Sequence, residues 1–354
     1  MKIAQLAPLT EPVPPRRYGG TERVVALLTE ELVRRGHEVT LYASGSRTDA
    51  MLVAPTPHAL RGDSSPATWL AAHLAAIGMA FGRAGDFDVI HSHVESLGFP
   101  AARLSPTPTV HTLHGRLDAP GAAQVFGEFT ELPLVSISDA QREPLRALGV
   151  TWAATIHHGV VLDDYPYAAQ PGRYLAFVGR LSHEKGPALA IDVAMRAGVP
   201  LRMAGKVDDV DRALFEREIR PMLDHPLIEF LGEIDEPRKR ELMAGALAVL
   251  FPIDWPEPFG LVMIEAMATG TPVIARPRGA VPEIILPGRT GFVAERVEEL
   301  VAAVHRVASL DRAACRAHVE ARFSVGRMAD DYEAVYRRAV RRRARRSRSR
   351  RPCG

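Results

Sequence analysis

The chain is poor in cysteine and in long apolar runs, and both shortages exclude classes of protein. Its 354 residues include two cysteines, Cys315 and Cys353, too few for a disulfide framework or a cysteine-based zinc site. The longest apolar stretches, 70–81 and 245–253, are interrupted and shorter than the ~20 residues that cross a bilayer. The first segment, MKIAQLAPL, has no apolar signal-peptide core. We therefore expect a cytoplasmic protein without a membrane span.

Aromatic residues are also scarce, at 6%, whereas hydrophobic residues make up 47%, a composition typical of globular proteins. The net charge of +2 is unevenly distributed, because eight arginines lie in 341–351 and leave −6 for the rest. Such a tail can contact nucleic acid or an anionic membrane surface. A solvated, disordered end is the commoner state of a terminus. We expect that state, with no specific nucleic-acid partner and at most a weak membrane contact through Arg341 to Arg351.

Strand-like apolar runs alternate with amphipathic helical stretches, which predicts βα units and parallel sheets. The runs are KIAQLA, EVTLYA, DVIHSH, PTVHTLH and PLVSIS, followed by YLAFVG, PLRMAG, LIEFLG, AVLFP and TPVIA. Between the two series lies a stretch with proline and glycine, LDDYPYAAQPGRY. We therefore predict two doubly wound domains, 1–168 and 169–322, then a terminal helix over 323–340 and a disordered tail over 341–354.

The first candidate loop holds Gly19 and Gly20, which follow the first strand and precede a helix that we expect Thr21 to cap. Glycine lets a backbone approach a phosphate closely, and a helix start offers free N–H groups. The G-x-G-x-x-G motif of dinucleotide sites is missing, so NAD binding is disfavoured. A tight turn that needs two glycines explains the pair equally well.

Two further loops carry charge. Arg180 and Lys185 follow a strand and could converge on a diphosphate. The arginine would bind through two parallel N–H groups and the lysine as a point charge. That both are solvated surface cations is an equal alternative. Glu257 and Glu265 lie near a helix start, where a carboxylate can accept hydrogen bonds from vicinal sugar hydroxyls. Taken alone, these glutamates are better explained as ordinary partners of a helix dipole.

Histidines form the last group of candidates. His91 and His93 alternate on one strand face, a spacing that zinc sites use, but no third ligand is apparent, and buried core histidines are commoner. The acidic pair Asp86 and Asp88 precedes a strand, at the sheet edge where ligands do not bind, and indicates a turn. His114 instead ends a strand at the ligand-binding edge. It is the best candidate for a polar contact to a reacting group.

Together the loops resemble the retaining glycosyltransferases of family 4, which have the GT-B fold of two facing Rossmann-like domains. Three matching segments occur in the family's order: Gly19-Gly20-Thr21-Glu22, Phe177-Val178-Gly179-Arg180-Leu181 with Lys185-Gly186, and Glu257-Pro258-Phe259-Gly260-Leu261 running to Glu265. The resemblance covers about residues 1–340 and excludes the arginine tail. It implies an α/β fold of the GT-B type with C-terminal helices.

The resemblance also implies a site. A nucleoside-diphosphate sugar, the donor, would bind to the second domain, with Arg180 and Lys185 at its diphosphate and Glu265 at the ribose. Glu257 and His114 would approach the transferred sugar as catalytic residues. The other implied donor contacts are the Gly20 backbone near the phosphates, Gly205, Ile234 against the base, Gly260 and Leu261.

The implied reaction is a retaining hexosyl transfer to an acceptor on the first domain. No metal or other cofactor is expected, because Arg180 and Lys185 would stabilise the departing diphosphate. One departure is His158, which replaces an asparagine frequent in the family and leaves the role of its loop open. A sugar epimerase or phosphorylase of the same fold remains an alternative, because a fold does not fix a reaction. A binding module that acts through the basic tail is another.

Overall fold

A computed structural model of the chain describes residues 1–16, 19–61 and 65–349, the last four of them by backbone alone. The chain divides into two compact units. The first consists of Met1–Gly159 with Val325–Gly354, and the second of Val160–Ser324. Each unit contains one parallel sheet, so the predicted α/β fold of the GT-B type is confirmed.

The first unit's sheet has seven strands among the described residues, in the order β3-β2-β1-β4-β5-β6-β7. These strands are β1 (Lys2–Leu6), β2 (Glu38–Tyr42), β3 (Met51–Val53), β4 (Val89–Ser92), β5 (Thr109–Thr112), β6 (Leu134–Ser136) and β7 (Trp152–Thr155). The chain first winds outward from β1 and then returns to β4 on its other side. In such sheets the ligand crevice lies at the carboxyl ends of the two strands where the direction reverses, here β1 and β4.

The second unit's sheet has six strands in the part that the structure describes, in the order β10-β9-β8-β11-β12-β13. They are β8 (Leu175–Val178), β9 (Leu201–Ala204), β10 (Ile228–Phe230), β11 (Ala248–Phe251), β12 (Val273–Ala275) and β13 (Gly291–Val293). The same reversal occurs between β8 and β11. The loops that follow these two strands therefore meet at one crevice.

The helices of the described residues connect and cover these strands. They are α1 (Gly20–Arg34), α2 (Pro66–Gly82), α3 (Phe99–Leu104), α4 (Ala122–Glu128), α5 (Pro187–Ala197), α6 (Arg212–Leu214), α7 (Glu236–Ala244), α8 (Leu261–Ala268), α9 (Val281–Ile284), α10 (Val297–Arg306), α11 (Arg312–Arg322) and α12 (Val325–Ser349). Among them, none is both long and apolar enough to span a membrane.

All ten predicted strands are present, and sequence reasoning missed three: β3, β7 and β13. Each of these forms an edge of its sheet. An edge strand is only partly covered, and here β7 is partly exposed along its whole length. Such exposure weakens the apolar pattern by which buried strands are recognised, although the fourth edge strand, β10, was predicted.

The unit boundary lies at Gly159 and Val160 rather than at 168 and 169. The proline-bearing stretch predicted as the linker is bound to the second unit. The Ala168 N–H donates to the Thr269 carbonyl at 3.0 Å, and Arg316 donates to the Tyr165 carbonyl at 2.9 Å. Proline and glycine mark irregular backbone there, not the division between the units.

The terminal helix also differs from its expected bounds of 323–340. Helix α12 belongs to the first unit, where it packs on α1 and on strands β4 and β5. Arg35 at the end of α1 donates to Asp330 Oδ1 at 2.6 Å and to the Gly326 carbonyl at 2.8 Å. Residues 341–349 are helical, contrary to the expected disorder, because arginine favours helix and α12 is already formed before them. Residues 350–354 of the expected tail lie outside the described part.

Candidate functional site

Ten residues were predicted to form the site, and the structure divides them between the units. Gly20 and His114 lie in the first unit. The second contains the other eight: Arg180, Lys185, Gly205, Ile234, Glu257, Gly260, Leu261 and Glu265.

In the second unit, the loops after β8 and β11 bring Lys185 and Glu257 into contact. The two strands are direct neighbours in the sheet, so residues 72 positions apart in sequence meet at its carboxyl edge. The Lys185 ammonium donates to Glu257 Oε2, and the Trp255 indole N–H donates to the same oxygen at 3.0 Å. Glu257 is 8% exposed. The pair therefore forms a largely buried, oppositely charged centre at the crevice.

Glycine at 279 is required by the position of Glu257. Gly279 has φ +52°, and a Cβ there would lie 2.2 Å from the Glu257 carbonyl oxygen. The Ala280 N–H donates to that carbonyl at 2.9 Å. The loop after β12 therefore supports the backbone of Glu257, a contact that local sequence does not reveal.

Arg180 is surrounded by carboxylates. Its guanidinium lies 3.0 Å from Glu184 Oε2, and 3.6 Å from both Asp208 Oδ2 and Asp211 Oδ2. The two aspartates follow β9, the neighbour of β8. Sequence reasoning considered Arg180 as a free surface cation or a phosphate ligand. It missed these acidic partners, because they lie on another loop.

Glu265 lies in α8 and is 3% exposed. Its Oε1 accepts hydrogen bonds from the Lys239 ammonium at 2.9 Å and from the Tyr165 hydroxyl at 3.4 Å. Lys239 also lies 3.0 Å from Glu236. Lys239 is a further basic residue at this edge that the sequence did not single out.

Gly260 and Leu261 form the start of α8. Gly260 is the N-cap, with φ +86°, and a Cβ there would lie 3.0 Å from the Phe251 ring. Leu261 is the first helical residue. The left-handed conformation and the close ring both require glycine at 260, so structure alone accounts for this residue type.

Gly205 and Ile234 follow β9 and β10 at the same edge. A Cβ on Gly205 would lie 1.7 Å from the Gly179 carbonyl oxygen. Glycine is therefore required at 205 for the loops after β8 and β9 to pack. Ile234 is half-buried. Gly205 lies on the loop next to the one that carries Arg180, and Ile234 lies on the loop beyond that.

In the first unit, α1 begins at Gly20, and Gly19 is its N-cap without a side-chain hydrogen bond. Thr21 is therefore not the cap that we expected. Gly19 has φ +151°, and a Cβ there would lie 2.8 Å from the Pro15 Cβ. This close approach requires glycine at position 19. The first N–H groups of α1 come directly after it in the sequence.

His114 lies two residues beyond β5 and belongs to a cluster of histidines. Its Nε2 is 2.9 Å from His93 Nδ1, and its ring stacks on that of His158 with centroids 5.4 Å apart. Burial lowers the pKa of His114 to about 3, and the pKa of His93 lies well below its ordinary value for the same reason. The cluster is therefore neutral at neutral pH. His158, whose role was open, packs against His114.

Glu95 is a candidate that sequence reasoning missed. It follows β4 by three residues, and its Oε1 accepts the His114 N–H at 2.9 Å and the Gly115 N–H at 3.0 Å. Its φ of +50° is unusual for a residue other than glycine. Burial raises the pKa of its carboxyl to about 7. The sequence feature that could have identified Glu95 is an acidic residue soon after a strand, at the ligand-binding edge of the sheet.

The residues considered for a metal have other contacts. His91 is buried, with Nε2 2.7 Å from Thr112 Oγ1 and Nδ1 2.6 Å from the Tyr336 hydroxyl. Asp88 accepts the Lys2 N–H at 2.8 Å, at the amino end of β1. Within the ranges that the structure describes, no group of three or more His, Cys, Asp or Glu side chains is arranged to hold a metal ion.

Two family models match the chain in sequence. The model described as "Glycosyltransferase Family 4" matches residues 18–164, and the one described as "Glycosyl transferases group 1" matches residues 168–322. The two matches together span most of the chain. Their division falls close to the boundary between the structural units.

Curated relatives match most of the chain. A phosphatidyl-myo-inositol mannosyltransferase of Mycobacterium leprae (strain TN) is 28% identical, over 83% of this chain and 83% of that protein. A glycogen synthase of Mycobacterium tuberculosis (strain ATCC 25618 / H37Rv) is 27% identical, over 90% of this chain and 89% of that protein. Both relatives are named as sugar-transferring or polysaccharide-forming enzymes.

Solved structures share the fold across nearly the whole chain. AviGT4, a glycosyltransferase involved in avilamycin A biosynthesis, has a TM-score of 0.72 with 25% identity, over 96% of this chain and 98% of that one. Anabaena Alr3699/HepE in complex with UDP-glucose has a TM-score of 0.73 with 20% identity, over 95% and 99%. On the family matches and this shared fold, the chain belongs to the GT-B glycosyltransferases of family 4.

Proposed function

We propose that the protein transfers a sugar from a nucleoside-diphosphate donor to an acceptor, with retention of anomeric configuration and without a metal ion. The observation that carries the proposal is the contact between Lys185 and Glu257 at the crevice between β8 and β11. It combines a cation suited to a phosphate with a carboxylate suited to sugar hydroxyls. The UDP-glucose complex of a protein with this fold supports the choice of donor.

Arg180 and Lys185 are proposed to bind the diphosphate. When the bond between the sugar and the phosphate oxygen breaks, negative charge develops on the diphosphate, and positioned cations stabilise it. Both cations now contact carboxylates. A diphosphate that binds here exchanges these ion pairs for its own, so that the released carboxylates become available to the sugar.

The remaining donor contacts follow from the same edge of the sheet. Glu265 is proposed to accept hydrogen bonds from the ribose hydroxyls, beside the Lys239 ammonium that contacts its carboxylate. The loops of Gly205 and Ile234, with Gly260 and Leu261 at the start of α8, would border the nucleotide. Gly20 and His114 of the first unit are proposed to approach the phosphates and the transferred sugar, respectively.

The experiment that tests the function is a donor panel. Nucleotide sugars that differ in base and sugar are screened by thermal shift, because a ligand that binds the native state raises its melting temperature. We expect a nucleotide sugar to stabilise the protein more than the matching nucleoside does. If no nucleoside diphosphate or nucleotide sugar raises the melting temperature, the donor assignment is wrong.

Product analysis with the stabilising donor then separates the reaction classes. A glycosyltransferase consumes the donor in the presence of a sugar or lipid acceptor and releases the nucleoside diphosphate. An epimerase changes the donor without an acceptor, and a phosphorylase requires inorganic phosphate. Donor conversion without acceptor, or only with phosphate, would replace our proposal by one of these alternatives.

We further propose a weak contact of the basic tail with an anionic membrane surface. The first five residues of the tail, 341–345, are exposed. Beside them, at the amino edge of the first unit's sheet, is a cavity of about 1050 Å³ lined by apolar residues such as Trp152 and Val335, and by Arg338 and Arg342. Apolar and cationic groups together suit an anionic amphiphile. This edge is opposite to the one that carries Gly20 and His114.

Vesicle sedimentation tests the membrane contact. Binding to phosphatidylglycerol-containing vesicles should exceed binding to phosphatidylcholine vesicles, fall with added salt and decrease on truncation after Val340. Equal binding by the truncated chain would remove the tail from consideration. Preference for an oligonucleotide over anionic vesicles would favour the nucleic-acid alternative instead.

A further inference from the structure

The hydrogen bonds behind His114 continue through the sheet of the first unit. His93 Nδ1 lies 2.9 Å from His114 Nε2, and His93 Nε2 lies 2.8 Å from Gln5 Oε1. The Gln5 amide nitrogen in turn donates to the Tyr336 hydroxyl of α12 at 3.5 Å. Gln5, His93 and Tyr336 are all buried. A series of hydrogen bonds thus connects α12 to the ring of His114.

The chemistry of these groups determines which partner donates in each of these hydrogen bonds. A neutral imidazole carries one N–H donor and one nitrogen lone pair. Because the Gln5 oxygen only accepts, His93 donates to it from Nε2 and keeps its lone pair on Nδ1. His114 must then donate from Nε2 to that lone pair. The lone pair of His114 is left on Nδ1.

Tyr336 supports the orientation of the Gln5 amide on which this assignment of donors depends. The Tyr336 hydroxyl lies 2.6 Å from His91 Nδ1. The hydroxyl can donate to that nitrogen and at the same time accept the N–H of the Gln5 amide. The opposite assignment of donors would place an N–H on His114 Nδ1. That atom is buried and has no hydrogen-bond partner within the described residues. An orphaned N–H group is the rarer and costlier state.

Two other contacts hold His114 in one orientation. Glu95 fixes its main chain by accepting the N–H groups of His114 and Gly115. The His158 ring stacks on the His114 ring with 18° between their planes. A ring flip would break the contact with His93 at Nε2. Nδ1 is therefore the ring nitrogen of His114 that has no hydrogen-bond partner among the described residues.

We propose that Gln5 and His93 are positioning residues that hold His114 in the Nε2–H tautomer, so that its Nδ1 accepts a hydrogen bond from a substrate hydroxyl. This inference deepens the proposed function and rests on it for the identity of the substrate as a hydroxylated sugar. The low pKa of His114 agrees with a neutral acceptor. A hydroxyl is the matching ligand, because it can donate to Nδ1, whereas an ionised phosphate cannot.

The tautomer can be measured without any activity. In full-length protein labelled with ¹⁵N at histidine, long-range ¹H–¹⁵N correlation spectra distinguish protonated from unprotonated ring nitrogens. A His114→Gln spectrum identifies the His114 signals. We expect His114 protonated at Nε2 and unprotonated at Nδ1 at pH 7. A proton on Nδ1, or on both nitrogens, overturns the inference.

Variants of His93 test its effect on turnover. His93→Leu removes the acceptor for His114 and should lower kcat about 10- to 100-fold, with a much smaller change in donor Kd, since it disturbs orientation rather than binding. His93→Asn keeps an oxygen near the Nδ1 position and should restore most of the loss. His111→Leu, which removes a buried histidine outside this series of hydrogen bonds, is the matched control.

The outcomes separate the two proposals. Equal losses in His93→Leu and His111→Leu would indicate a general packing effect and contradict the positioning role. Sugar transfer by a protein with His114 protonated at Nδ1 would overturn this inference and leave the proposed function intact. A protein that shows the expected tautomer but transfers no sugar would overturn the proposed function and leave the tautomer assignment intact.

Discussion

At the carboxyl edge of the second unit's sheet, the candidate side chains are charged and stand in ion pairs, whereas at the same edge of the first unit's sheet they are neutral and hydrogen-bonded. In the second unit, Lys185 pairs with Glu257, and Lys239 with Glu265. In the first, His114 and His93 share a hydrogen bond between uncharged rings.

Burial and the charge of the partner together account for the difference, because Glu257 and Glu265 are also buried but each contacts a lysine. The Arg180 and Lys185 side chains lie on loops and are 27% and 17% exposed, so water and carboxylates share the solvation of their charge. His91 in β4 contacts the buried Tyr332 and Tyr336 of α12, and His93 directly after β4 is also buried. Removal from water disfavours the charged imidazole and lowers its pKa. One edge is thus suited to an anionic diphosphate and the other to uncharged hydroxyl groups.

The largest expected effect comes from the neutral edge. His114→Ala should lower kcat about 100- to 1,000-fold, within the range found for a positioned catalytic group, with less than a threefold change in donor Kd. Steady-state kinetics and calorimetry on the same preparation measure both. A large loss of donor affinity with unchanged kcat would place His114 in donor binding and break the comparison.

Removal of a charged side chain at the carboxyl edge of the second unit's sheet should act mainly on the affinity for the donor. Lys185→Ala and Glu265→Ala should each weaken donor binding about 10- to 100-fold, as expected for a charge-assisted hydrogen bond, measured by calorimetry. Arg196→Ala, which removes an exposed cation from α5, is the control and should leave the affinity unchanged. Unchanged donor affinity in both site variants would refute the site assignment.

Glu95 should make stability depend on pH in a direction unusual for a carboxylate. Its folded pKa of about 7 lies above the ordinary 4.5, so the folded state binds more protons between these values, and stability falls as pH rises. Glu95→Gln keeps an acceptor for both N–H groups. It should be more stable than the parent by about 1–3 kcal/mol above pH 7 and equal to it near pH 4.

Denaturant unfolding of parent and variant from pH 4 to 8 measures this difference, with the exposed Glu38→Gln as control. A difference that is independent of pH would show that folding does not raise the pKa of Glu95.

The smallest expected effect is that of a chelator. If Arg180 and Lys185 supply the positive charge for the diphosphate, EDTA should change the transfer rate by less than about twofold. Rates of the dialysed enzyme with and without added Mg²⁺ or Mn²⁺ provide the comparison. A chelator-sensitive rate that a divalent ion restores would contradict the metal-independent mechanism.

Much of the fold could be read from local patterns. Apolar runs of strand length identified the ten strands, because a strand covered on both faces needs a continuous apolar segment. Glycines and charged residues directly after strands pointed to Arg180, Lys185 and His114, because parallel sheets present such loops at one edge. Three of the four edge strands, β3, β7 and β13, gave no comparable signal.

The sequence by itself determined the fold class, the succession of strands and helices, and which residue types stand at the ends of the strands, since these depend on neighbours along the chain. Only the tertiary structure decided that α12 returns to the first unit, that Asp208 and Asp211 face Arg180, and that Glu95 and His93 hold His114. These contacts join residues far apart in sequence, and strand order brings them together. Burial and the charge of the neighbouring side chain, which also depend on the folded whole, then decide which of these groups carry charge.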